Sequence, residues 1–363
     1  MKIYVCGTRG FPNMQGGIET HCEELYPRIA RLGYDVTVVR RKSFIAENPV
    51  RKEYKGVKFK DIYSPKITGF EAAVHSLLTI YYAYRAKADI VHIHAIGPAI
   101  VVPLAKMAGL KVIVTHHGPD YDREKWGFFS RLVLKAGEFF AAKLADEVIV
   151  ISTVIKDILK RKYNRTKNVH LIYNGVTTLP NHSQSTGFLQ KSGIKPGKYI
   201  LAVGRFVEEK RFDKLIEACI KLKREDYQLV IAGDSDYETS YACYLKNFAI
   251  ENHVILTGVV KGEALSELYD NAALFVLPSS HEGLPITMLE AMSYKRKIVA
   301  SNIPANLAVN LDADSYFELN DLNDLVHKIA GQLNNGCTEK EYDLSLYDWD
   351  TIALQTKEVY VTP

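Results

Sequence analysis

The sequence predicts two doubly wound α/β domains. Short apolar runs alternate with helical patterns along all 363 residues, and the alternation restarts once near the middle. Most of the runs are unbroken Val and Ile, as expected for parallel strands covered on both faces. Since the length also suits two domains of ordinary size, we predict one domain over residues 1–176 and a second over residues 177–345.

The first domain is predicted from six apolar runs and one clear helix. Apolar residues recur at helical spacing from Ile18 to Leu32, and Gly33 then provides a typical helix end. Strand, helix and strand in this rhythm indicate a doubly wound unit. The predicted strands are Lys2–Cys6, Asp35–Val39, Ile90–His94, Lys111–Thr115, Glu147–Ile151 and Val169–Ile172.

The second domain follows a predicted linker, Thr177–Lys198, which is rich in Ser, Thr, Asn, Gly and Pro. Its predicted strands are Tyr199–Val203, Gln228–Ala232, Val254–Thr257, Leu274–Leu277 and Ile298–Ala300. Its predicted helices lie around Phe212–Leu222 and Tyr241–Ile250 and begin near Glu263 and Thr287. Two such halves leave a cleft between the carboxyl ends of their strands, where ligands of this architecture bind.

The composition excludes several classes of protein. Forty-six Lys and Arg against 42 Asp and Glu give a net charge of +4, too small an excess to indicate nucleic-acid binding. The five cysteines are scattered without a CxxC pair, as in a reduced cytosolic protein. No secretory signal opens the sequence, and its longest uncharged stretches fall short of the ~20 residues needed to cross a bilayer. We therefore predict a cytoplasmic protein.

Two glycines, Gly16 and Gly17, lie between the first predicted strand and the first helix. Glycine lets a backbone approach a phosphate closely, and a helix start offers free N–H groups and a positive dipole end. An ordinary flexible turn is the simpler explanation of the pair taken alone. The loop lacks the G-x-G-x-x-G spacing and a following Lys-Ser/Thr, which argues against a nicotinamide enzyme and a nucleoside triphosphatase.

Two cations follow the first strand of the second domain. Arg205 has the planar fork that suits phosphate oxygens, and Lys210 has a compact positive charge. A strand end is where a group facing the cleft belongs. A solvated charge run, with Glu208 and Glu209 as partners, is an equal alternative.

The segment from Ser280 to Glu290 is more specific. It follows a predicted strand, turns at Gly283 and Pro285, and opens a helix near Thr287. The helix start can receive a diphosphate, while Glu290, about one turn inside, can accept hydrogen bonds from ribose hydroxyls. Glu282, on the loop before the helix, is placed to meet sugar hydroxyls. The alternative is two surface acids beside a capped helix.

These motifs resemble the retaining glycosyltransferases of family 4, which have the GT-B fold, and in particular those that build bacterial surface polysaccharides. The resemblance rests on the E-G-L-P-x-x-x-L-E-A-M segment from Glu282 and on G-R-x4-K from Gly204, and it extends over nearly the whole chain. It also implies that a C-terminal helix over residues 346–363 packs back on the first domain. One departure is that many members have E-G-F-G-L-P where Glu282-Gly283 runs directly into Leu284.

The resemblance also implies a role for each site residue. Arg205 and Lys210 match the pair that holds the donor diphosphate, Glu290 the ribose-binding acid, and Glu282 the acid on the transferred sugar. His117 matches the histidine beside the reacting sugar, and we expect His117, Arg205, Lys210 and Glu282 to be catalytic. The further donor-binding residues are Gly16, Gly17, Val260, Gly283, Leu284, Pro285, Ile286 and Thr287.

The implied reaction moves a hexosyl unit from a nucleoside-diphosphate sugar to a sugar hydroxyl of a glycan or lipid-linked acceptor. We expect a UDP-sugar ahead of a GDP- or dTDP-sugar, no cofactor and no metal. Asp120, Tyr121 and Arg123 form a polar and aromatic loop suited to the acceptor, although a capped surface loop is as good an explanation. The helical stretch Phe128–Lys143 mixes Phe and Leu with Arg and Lys, so peripheral contact with the inner face of the plasma membrane is a further hypothesis beside ordinary packing.

Two patterns suggest metals, but neither is expected to bind one. Asp234-Ser235-Asp236 has the form of a metal-binding D-x-D, yet it follows a strand of a doubly wound domain. His92 and His94 lie on one strand face, but no acid or cysteine stands at ligand spacing. Among other functions, an epimerase or hydrolase acting on the donor alone remains the main alternative; a phosphorylase lacks a marked pyridoxal-binding lysine, and an exported binding protein lacks an export signal.

Overall fold

The computed structural model describes residues 1–12, 14–45, 50–65, 70–122, 127–177, 186–334 and 339–362. The chain forms two compact units. The first unit comprises Met1–Gly175 together with Tyr347–Pro363, and the second comprises Val176–Leu346. The chain therefore leaves the first unit once and returns to it at the end.

The first unit is built on an eight-stranded sheet. Its strands are β1 (Lys2–Cys6), β2 (Asp35–Arg41), β3 (Glu53–Tyr54), β4 (Val57–Ile62), β5 (Ile90–His94), β6 (Lys111–His116), β7 (Glu147–Val150) and β8 (Val169–Leu171). Their order across the sheet is β3-β4-β2-β1-β5-β6-β7-β8. All neighbours are parallel except β3 and β4, which pair antiparallel at one edge. The strand order thus reverses between β1 and β5.

Five helices follow the strands of the first unit. They are α1 (Gly17–Arg31), α2 (Phe70–Arg85), α3 (Val102–Met107), α4 (Phe128–Leu144) and α5 (Thr153–Tyr163). In α1 the buried residues Cys22, Leu25, Tyr26 and Ile29 recur at helical spacing and face the core formed with β1 and β2. This apolar stripe is what docks α1 on the sheet and fixes the loop before it.

The second unit has a six-stranded, fully parallel sheet. Its helices and strands are α6 (Gly187–Lys191), β9 (Tyr199–Val203), α7 (Phe212–Leu222), β10 (Gln228–Ala232), α8 (Ser240–Glu251), β11 (Ile255–Gly258), α9 (Gly262–Asp270), β12 (Leu274–Leu277), α10 (Ile286–Ser293), β13 (Ile298–Ser301), α11 (Pro304–Leu307), β14 (Tyr316–Phe317) and α12 (Leu322–Asn334). The order β11-β10-β9-β12-β13-β14 is that of a doubly wound dinucleotide-binding sheet. It reverses between β9 and β12.

The last helix, α13 (Trp349–Val361), belongs to the first unit. Trp349 and Tyr360 are buried in the same core as α1. A Cβ on Gly175 would lie 2.5 Å from the Trp349 ring, so only glycine fits where the chain leaves this unit.

The structure corrects several details of the predicted elements. The sequence patterns missed the strands β3, β4 and β14 and the helices α2, α3, α5, α11 and α12, and the predicted linker contains the short helix α6. β4 was missed because Lys58, Lys60 and Asp61 break its apolar run near the sheet edge. Within the described residues we find no helix whose length and hydropathy would let it traverse a lipid bilayer.

Candidate active site

The predicted donor residues of the second unit border the point where its strand order reverses. Strand β9 leads into Arg205 and Lys210, and the neighbouring β12 leads into the loop that carries Glu282. The carboxyl ends of two such strands form the crevice in which ligands of doubly wound folds bind. The sequence motifs therefore meet at the one edge of this sheet where its topology predicts a site.

Lys210 and Glu282 form an ion pair across this crevice. The Nζ atom of Lys210 lies 2.6 Å from Oε1 of Glu282, and both side chains are largely buried. The two loops are also tied by their backbones, because the Ser280 amide donates to the Glu209 carbonyl over 2.8 Å. A cation and an acid predicted to hold the phosphate and the sugar are thus adjacent in one unit.

Arg205 pairs with Asp236, one of the two acids in the Asp-x-Asp pattern of the sequence. Its Nη1 atom donates to Oδ2 of Asp236 over 3.0 Å, while Asp234 pairs with Lys246, also over 3.0 Å. The two carboxylates of the Asp-x-Asp pattern are therefore engaged by two different cations. A diphosphate that binds Arg205 would compete with Asp236 for the guanidinium.

The start of α10 is suited to an anion. Pro285 precedes the helix, and no side chain of the described residues caps it. The Thr287 hydroxyl, in the first turn, is buried without a hydrogen-bond partner in the described part of the chain. Buried Leu284 and Pro285 fix the approach of the backbone, with Gly283 and Ile286 on either side. Open N–H groups and the helix dipole favour a phosphate here.

Glu290 is held one turn inside α10. Its Oε2 atom accepts a hydrogen bond of 2.7 Å from the hydroxyl of Tyr269, which stacks on Tyr294. Burial, and then the Glu290 charge, raise the pKa of Tyr269 well above its usual value, so the phenol stays protonated and donates. The carboxylate therefore has a fixed orientation, and a carboxylate can accept several hydrogen bonds at once.

Val260 lies just beyond β11 at the same edge of the second sheet. The Gly233 amide donates to the Gly258 carbonyl over 2.8 Å, which ties the ends of β10 and β11 together. Val260 is partly exposed there, two strands away from Arg205. An apolar, accessible side chain at this position is compatible with the predicted contact with a base.

In the first unit, Gly16 and Gly17 lie at the start of α1, where an ion pair shapes the loop. Arg9 Nε lies 3.2 Å from Oε1 of Glu19, and the Arg9 guanidinium also donates to the Gln15 carbonyl. Gly16 has φ of 142°, and a Cβ there would lie 2.2 Å from Glu19 Oε2. The glycine is therefore required by its backbone conformation and by the ion pair beside it. This requirement would hold with or without a bound phosphate.

His117 lies in a cluster of imidazoles at the carboxyl edge of the first sheet. Its Nε2 atom is 2.9 Å from Nδ1 of His94, and its ring centre is 5.1 Å from that of His21. Nδ1 of His21 donates to the Asn174 side-chain oxygen over 3.0 Å, which leaves a lone pair on Nε2. Burial lowers the pKa of His21 to about 4 and lowers those of His94 and His117 well below the usual range. These imidazoles are therefore neutral at pH 7.

In the described part of the chain, His21, His94 and His117 form the cluster that could hold a metal ion. Their ligand nitrogens lie within 4.8 Å of one another, and Nε2 of His21 is buried without a described partner. Three neutral imidazoles are a donor set that zinc accepts. However, His94 and His117 already share a proton in their hydrogen bond, so an ion would have to displace that bond.

The predicted acceptor loop is only partly described. Asp120 and Tyr121 lie in a single helical turn after β6, both partly exposed. The Tyr121 hydroxyl donates to the buried carboxylate of Glu138 over 3.1 Å. Arg123, Lys125 and Trp126 lie outside the described residues.

Several residues of these sites were not identified from the sequence. Arg9, in the loop after β1, and His21, in the first turns of α1, lie on either side of Gly16 and Gly17 and could have been found by examining the neighbours of these glycines. Asp236, Tyr269 and Glu138 reach their partners from 31, 21 and 22 positions away in the chain. No sequence pattern links them to those partners.

Two family models cover most of the chain. A model described as Glycosyltransferase Family 4 matches residues 15–178, and one described as Glycosyl transferases group 1 matches residues 186–345. The chain belongs to glycosyltransferase family 4. The predicted resemblance to family 4 is therefore confirmed.

Individual relatives of this family 4 glycosyltransferase have low sequence identity to it, but the alignments cover most of the chain. An uncharacterized glycosyltransferase of Methanocaldococcus jannaschii is 24% identical, with 99% of this chain and 98% of the relative aligned. The UDP-Gal:alpha-D-GlcNAc-diphosphoundecaprenol alpha-1,3-galactosyltransferase of Escherichia coli is 28% identical over 70% of this chain and 69% of its own. These names are those of transferases and do not favour an epimerase or hydrolase.

A solved structure shows the same architecture. HepE of Anabaena, in complex with UDP and glucose, superposes with a TM-score of 0.81 at 15% identity and covers 100% of this chain and 99% of its own. The predicted GT-B fold, two α/β domains with parallel sheets, is thereby confirmed for this family 4 enzyme.

Proposed function

We propose that this glycosyltransferase moves a hexosyl unit from a nucleoside-diphosphate sugar to a sugar hydroxyl of a glycan or lipid-linked acceptor, with retention of anomeric configuration. The donor is a UDP-sugar in preference to a GDP- or dTDP-sugar, and the reaction needs no metal or cofactor. The enzyme works in the cytoplasm in surface-polysaccharide synthesis. The roles of the individual residues below are part of this proposal.

The observation that carries the proposal is the convergence of positive groups where the second sheet reverses. Arg205, Lys210 and the uncapped start of α10 border one crevice, and Glu290 lies one turn beyond. A nucleoside-diphosphate sugar has two phosphates next to a ribose, and the cations and the start of α10 are followed by Glu290 in the same order. Gly283, Leu284, Pro285, Ile286 and Thr287 supply the backbone along the phosphates and sugar.

The chemical step follows from this arrangement of charge. The bond between the anomeric carbon and the diphosphate oxygen breaks, and its electron pair stays on the departing oxygen. Arg205, Lys210 and the helix dipole stabilise that negative charge, which is the work a metal does in other transferases. The acceptor oxygen bonds to the same face of the sugar and passes its proton to the departing phosphate oxygen. Neutral His117 offers a hydrogen bond to the sugar, and Glu282 accepts from its hydroxyls.

The proposed donor and acceptor are inferred from the ligands and substrates in the names of related proteins. HepE was solved with UDP and glucose, and the Escherichia coli enzyme is named for UDP-galactose and for an acceptor on diphosphoundecaprenol. Both point to a UDP-sugar, and the second to a lipid-linked glycan. In this chain, Asp120, Tyr121 and Arg123 are the proposed acceptor contacts.

A two-step experiment tests the proposal. Thermal stability is first measured with UDP-, GDP-, dTDP- and CDP-sugars, with and without EDTA; we expect the UDP-sugars to raise Tm most and EDTA to change nothing. The stabilising donor is then incubated with and without polyprenyl-diphosphate sugars. Transfer to the acceptor with α-configuration from an α-linked donor supports the proposal, whereas sugar release that ignores the acceptor would make the enzyme a hydrolase.

A peripheral membrane contact fits the exposed face of α4. Phe128 and Phe129 are 78% and 81% exposed, and Leu132 is exposed beside them. Arg131 and Lys135, on the same turns, are also exposed. An apolar face flanked by cations suits the boundary of an anionic bilayer, where a lipid-linked acceptor would be found.

Vesicle sedimentation tests this contact. Replacing Phe128, Phe129 and Leu132 with serine should abolish binding to vesicles that contain phosphatidylglycerol. Ile250→Ser, which removes a similarly exposed apolar side chain (70%) from the second unit, should leave binding unchanged. Equal binding by both variants would rule out α4 as the contact.

A further inference from the structure

Glu138 of α4 is a fully buried carboxylate that collects hydrogen bonds from three segments of the first unit. Oε1 accepts from Nε2 of His116 and from the hydroxyl of Tyr121, each over 3.1 Å. Oε2 accepts from Nζ of Lys162 and from the hydroxyl of Tyr163, each over 2.5 Å. The end of β6, the turn after it and the end of α5 are therefore joined at one side chain.

One of these bonds fixes a tautomer. The Gly118 amide donates to Nδ1 of His116 over 3.1 Å, and a backbone amide can only donate. Nδ1 of His116 therefore carries the lone pair, and Nε2 carries the proton that goes to Glu138. His117 lies between His116 and Gly118. The backbone on both sides of it is therefore held by the His116 side chain, which in turn is bonded to the Glu138 carboxylate.

Tyr121 is fixed by the same group. Its hydroxyl is bound by Glu138, and Nζ of Lys162 lies 4.5 Å from the centre of its ring. Tyr121 lies beside Asp120 in the turn that we propose contacts the acceptor. One buried charge therefore orients both His117 and the first residues of the acceptor loop.

The charge, and not only the shape, of Glu138 is required. Burial alone would raise the pKa of this carboxyl, but the bonds from His116, Lys162 and Tyr163 outweigh it and lower the pKa to about 2. A glutamine of the same size would place an NH₂ group opposite groups that also donate. At least one of the four bonds would then be lost or the His116 tautomer reversed.

We propose that Glu138 is a positioning residue that holds the segment from His116 to Tyr121 in its acceptor-binding conformation. This inference rests on the proposed function, because it assumes that the acceptor binds at this segment. Glu138 itself touches neither substrate. Its effect should therefore appear in the binding of the acceptor and, through His117, in turnover, and not in the binding of the nucleotide by the second unit.

The first unit contains a matched control for Glu138. Glu147 of β7 is also buried and accepts a hydrogen bond of 2.7 Å from Nε2 of His170. Glu147→Gln therefore removes a buried charge bound to an imidazole, at a place outside the segment from His116 to Tyr121. A general loss of stability would affect both variants.

The test compares Glu138→Gln with Glu147→Gln in the full-length enzyme. For Glu138→Gln we expect the KM for the acceptor to rise about tenfold or more, with the dissociation constant of UDP, which contacts the second unit, unchanged. Glu147→Gln should change neither quantity. Equal acceptor KM values in the two variants would overturn the inference, whereas a wild-type enzyme that transfers no sugar would overturn the proposed function instead.

A measurement on the wild type covers the case in which Glu138→Gln does not fold. Long-range ¹H–¹⁵N spectra of histidine-labelled enzyme, assigned with His116→Gln, should show His116 as the neutral tautomer with its proton on Nε2. A proton on Nδ1 would contradict the bonding scheme and with it the inference. The same spectrum of folded Glu138→Gln should show a shifted His117 resonance, which a change in stability alone would not cause.

Discussion

The two units of the chain present their predicted site residues in opposite electrostatic states. In the second unit they form ion pairs, the largely buried Lys210–Glu282 and the more exposed Arg205–Asp236. In the first unit, His117 is a partly buried imidazole packed against buried His94, and burial lowers the pKa values of both rings. Ion pairs at a crevice can exchange partners with a charged ligand, whereas neutral imidazoles can only offer hydrogen bonds. This contrast fits the proposal that the diphosphate binds to the second unit and that uncharged hydroxyl groups bind to the first.

Lowering the pH should have the largest effect on this difference between the units, because it should destabilise the first unit. Burial lowers the pKa of His21 to about 4 and those of His75 and His92 to about 3, below the 6.5 of an unfolded chain. Between those values the unfolded state binds more protons, so the free energy of unfolding falls as the pH falls. The expected loss is roughly 1.4 kcal/mol per pH unit for each histidine.

Tryptophan fluorescence can follow this unit alone. The two tryptophans of the chain, Trp126 and Trp349, both lie within the first unit's residue ranges. Urea midpoints measured by fluorescence should therefore fall steeply between pH 6.5 and 4. His21→Asn should make that fall shallower. A pH-independent midpoint would show that the imidazoles are not held neutral. Loss of the Glu138 bonds belongs to a lower window, from about pH 4.5 to 2.

Removing a cation from the second unit should have the next largest effect. Lys210→Ala leaves the departing diphosphate without one positive charge, and kcat should fall about 10²-fold or more. Lys214→Ala is the control, because Lys214 pairs with Glu217 on its own helix. Steady-state kinetics on folded variants decide the point; near-normal turnover of Lys210→Ala would remove this residue from the mechanism.

Substitution of Glu290 should affect the binding of the UDP-sugar more than the rate of turnover. Glu290→Gln keeps the side-chain shape but loses the charge that accepts from ribose hydroxyls, so the dissociation constant of the UDP-sugar should rise about tenfold. Calorimetric titration measures it, with Glu251→Gln, at the end of α8, as a control away from the crevice. A matching loss of affinity for UDP, but not for the isolated sugar, would place the effect on the nucleotide.

The smallest expected effect is a gain of affinity. Asp236→Asn releases Arg205 from an ion pair that is about a quarter exposed, and such pairs are worth up to about 1 kcal/mol. The UDP-sugar should therefore bind up to about fivefold more tightly. Asp234→Asn, which breaks only the pair with Lys246, should not improve binding. Weaker binding in Asp236→Asn would mean that Asp236 orients Arg205 instead of competing for it.

The sequence brings the candidate residues of the second unit together more readily than those of the first, for a physical reason. Arg205 and Lys210 follow β9, and Glu282 and Glu290 follow the neighbouring β12, so the order of elements along the chain already places them at one sheet edge. The imidazole cluster joins α1, β5 and the end of β6, and no local pattern links His21 to His94. Partners such as Tyr269 and Glu138 are defined only by the folded chain.

The same limit applies to the elements themselves. Apolar parallel strands such as β1 and β12 were predicted at their observed bounds, because buried strands have unbroken apolar runs. The edge hairpin of β3 and β4 was missed because its residues are mostly polar. The roles of individual site residues remain predictions that the experiments above address.

The return of the chain to the first unit sets the order in which the two units can fold during synthesis. Trp349 and Tyr360 complete the core beneath α1, and the Tyr360 hydroxyl lies 2.8 Å from Nδ1 of His92. Residues 176–346 are synthesised before α13, so the core of the first unit is the last part of the chain to be completed. Until then, the histidines of β5 lack one of their partners. A chain truncated after Leu346 should therefore keep a folded second unit but lose the protection of the first, which limited proteolysis would show.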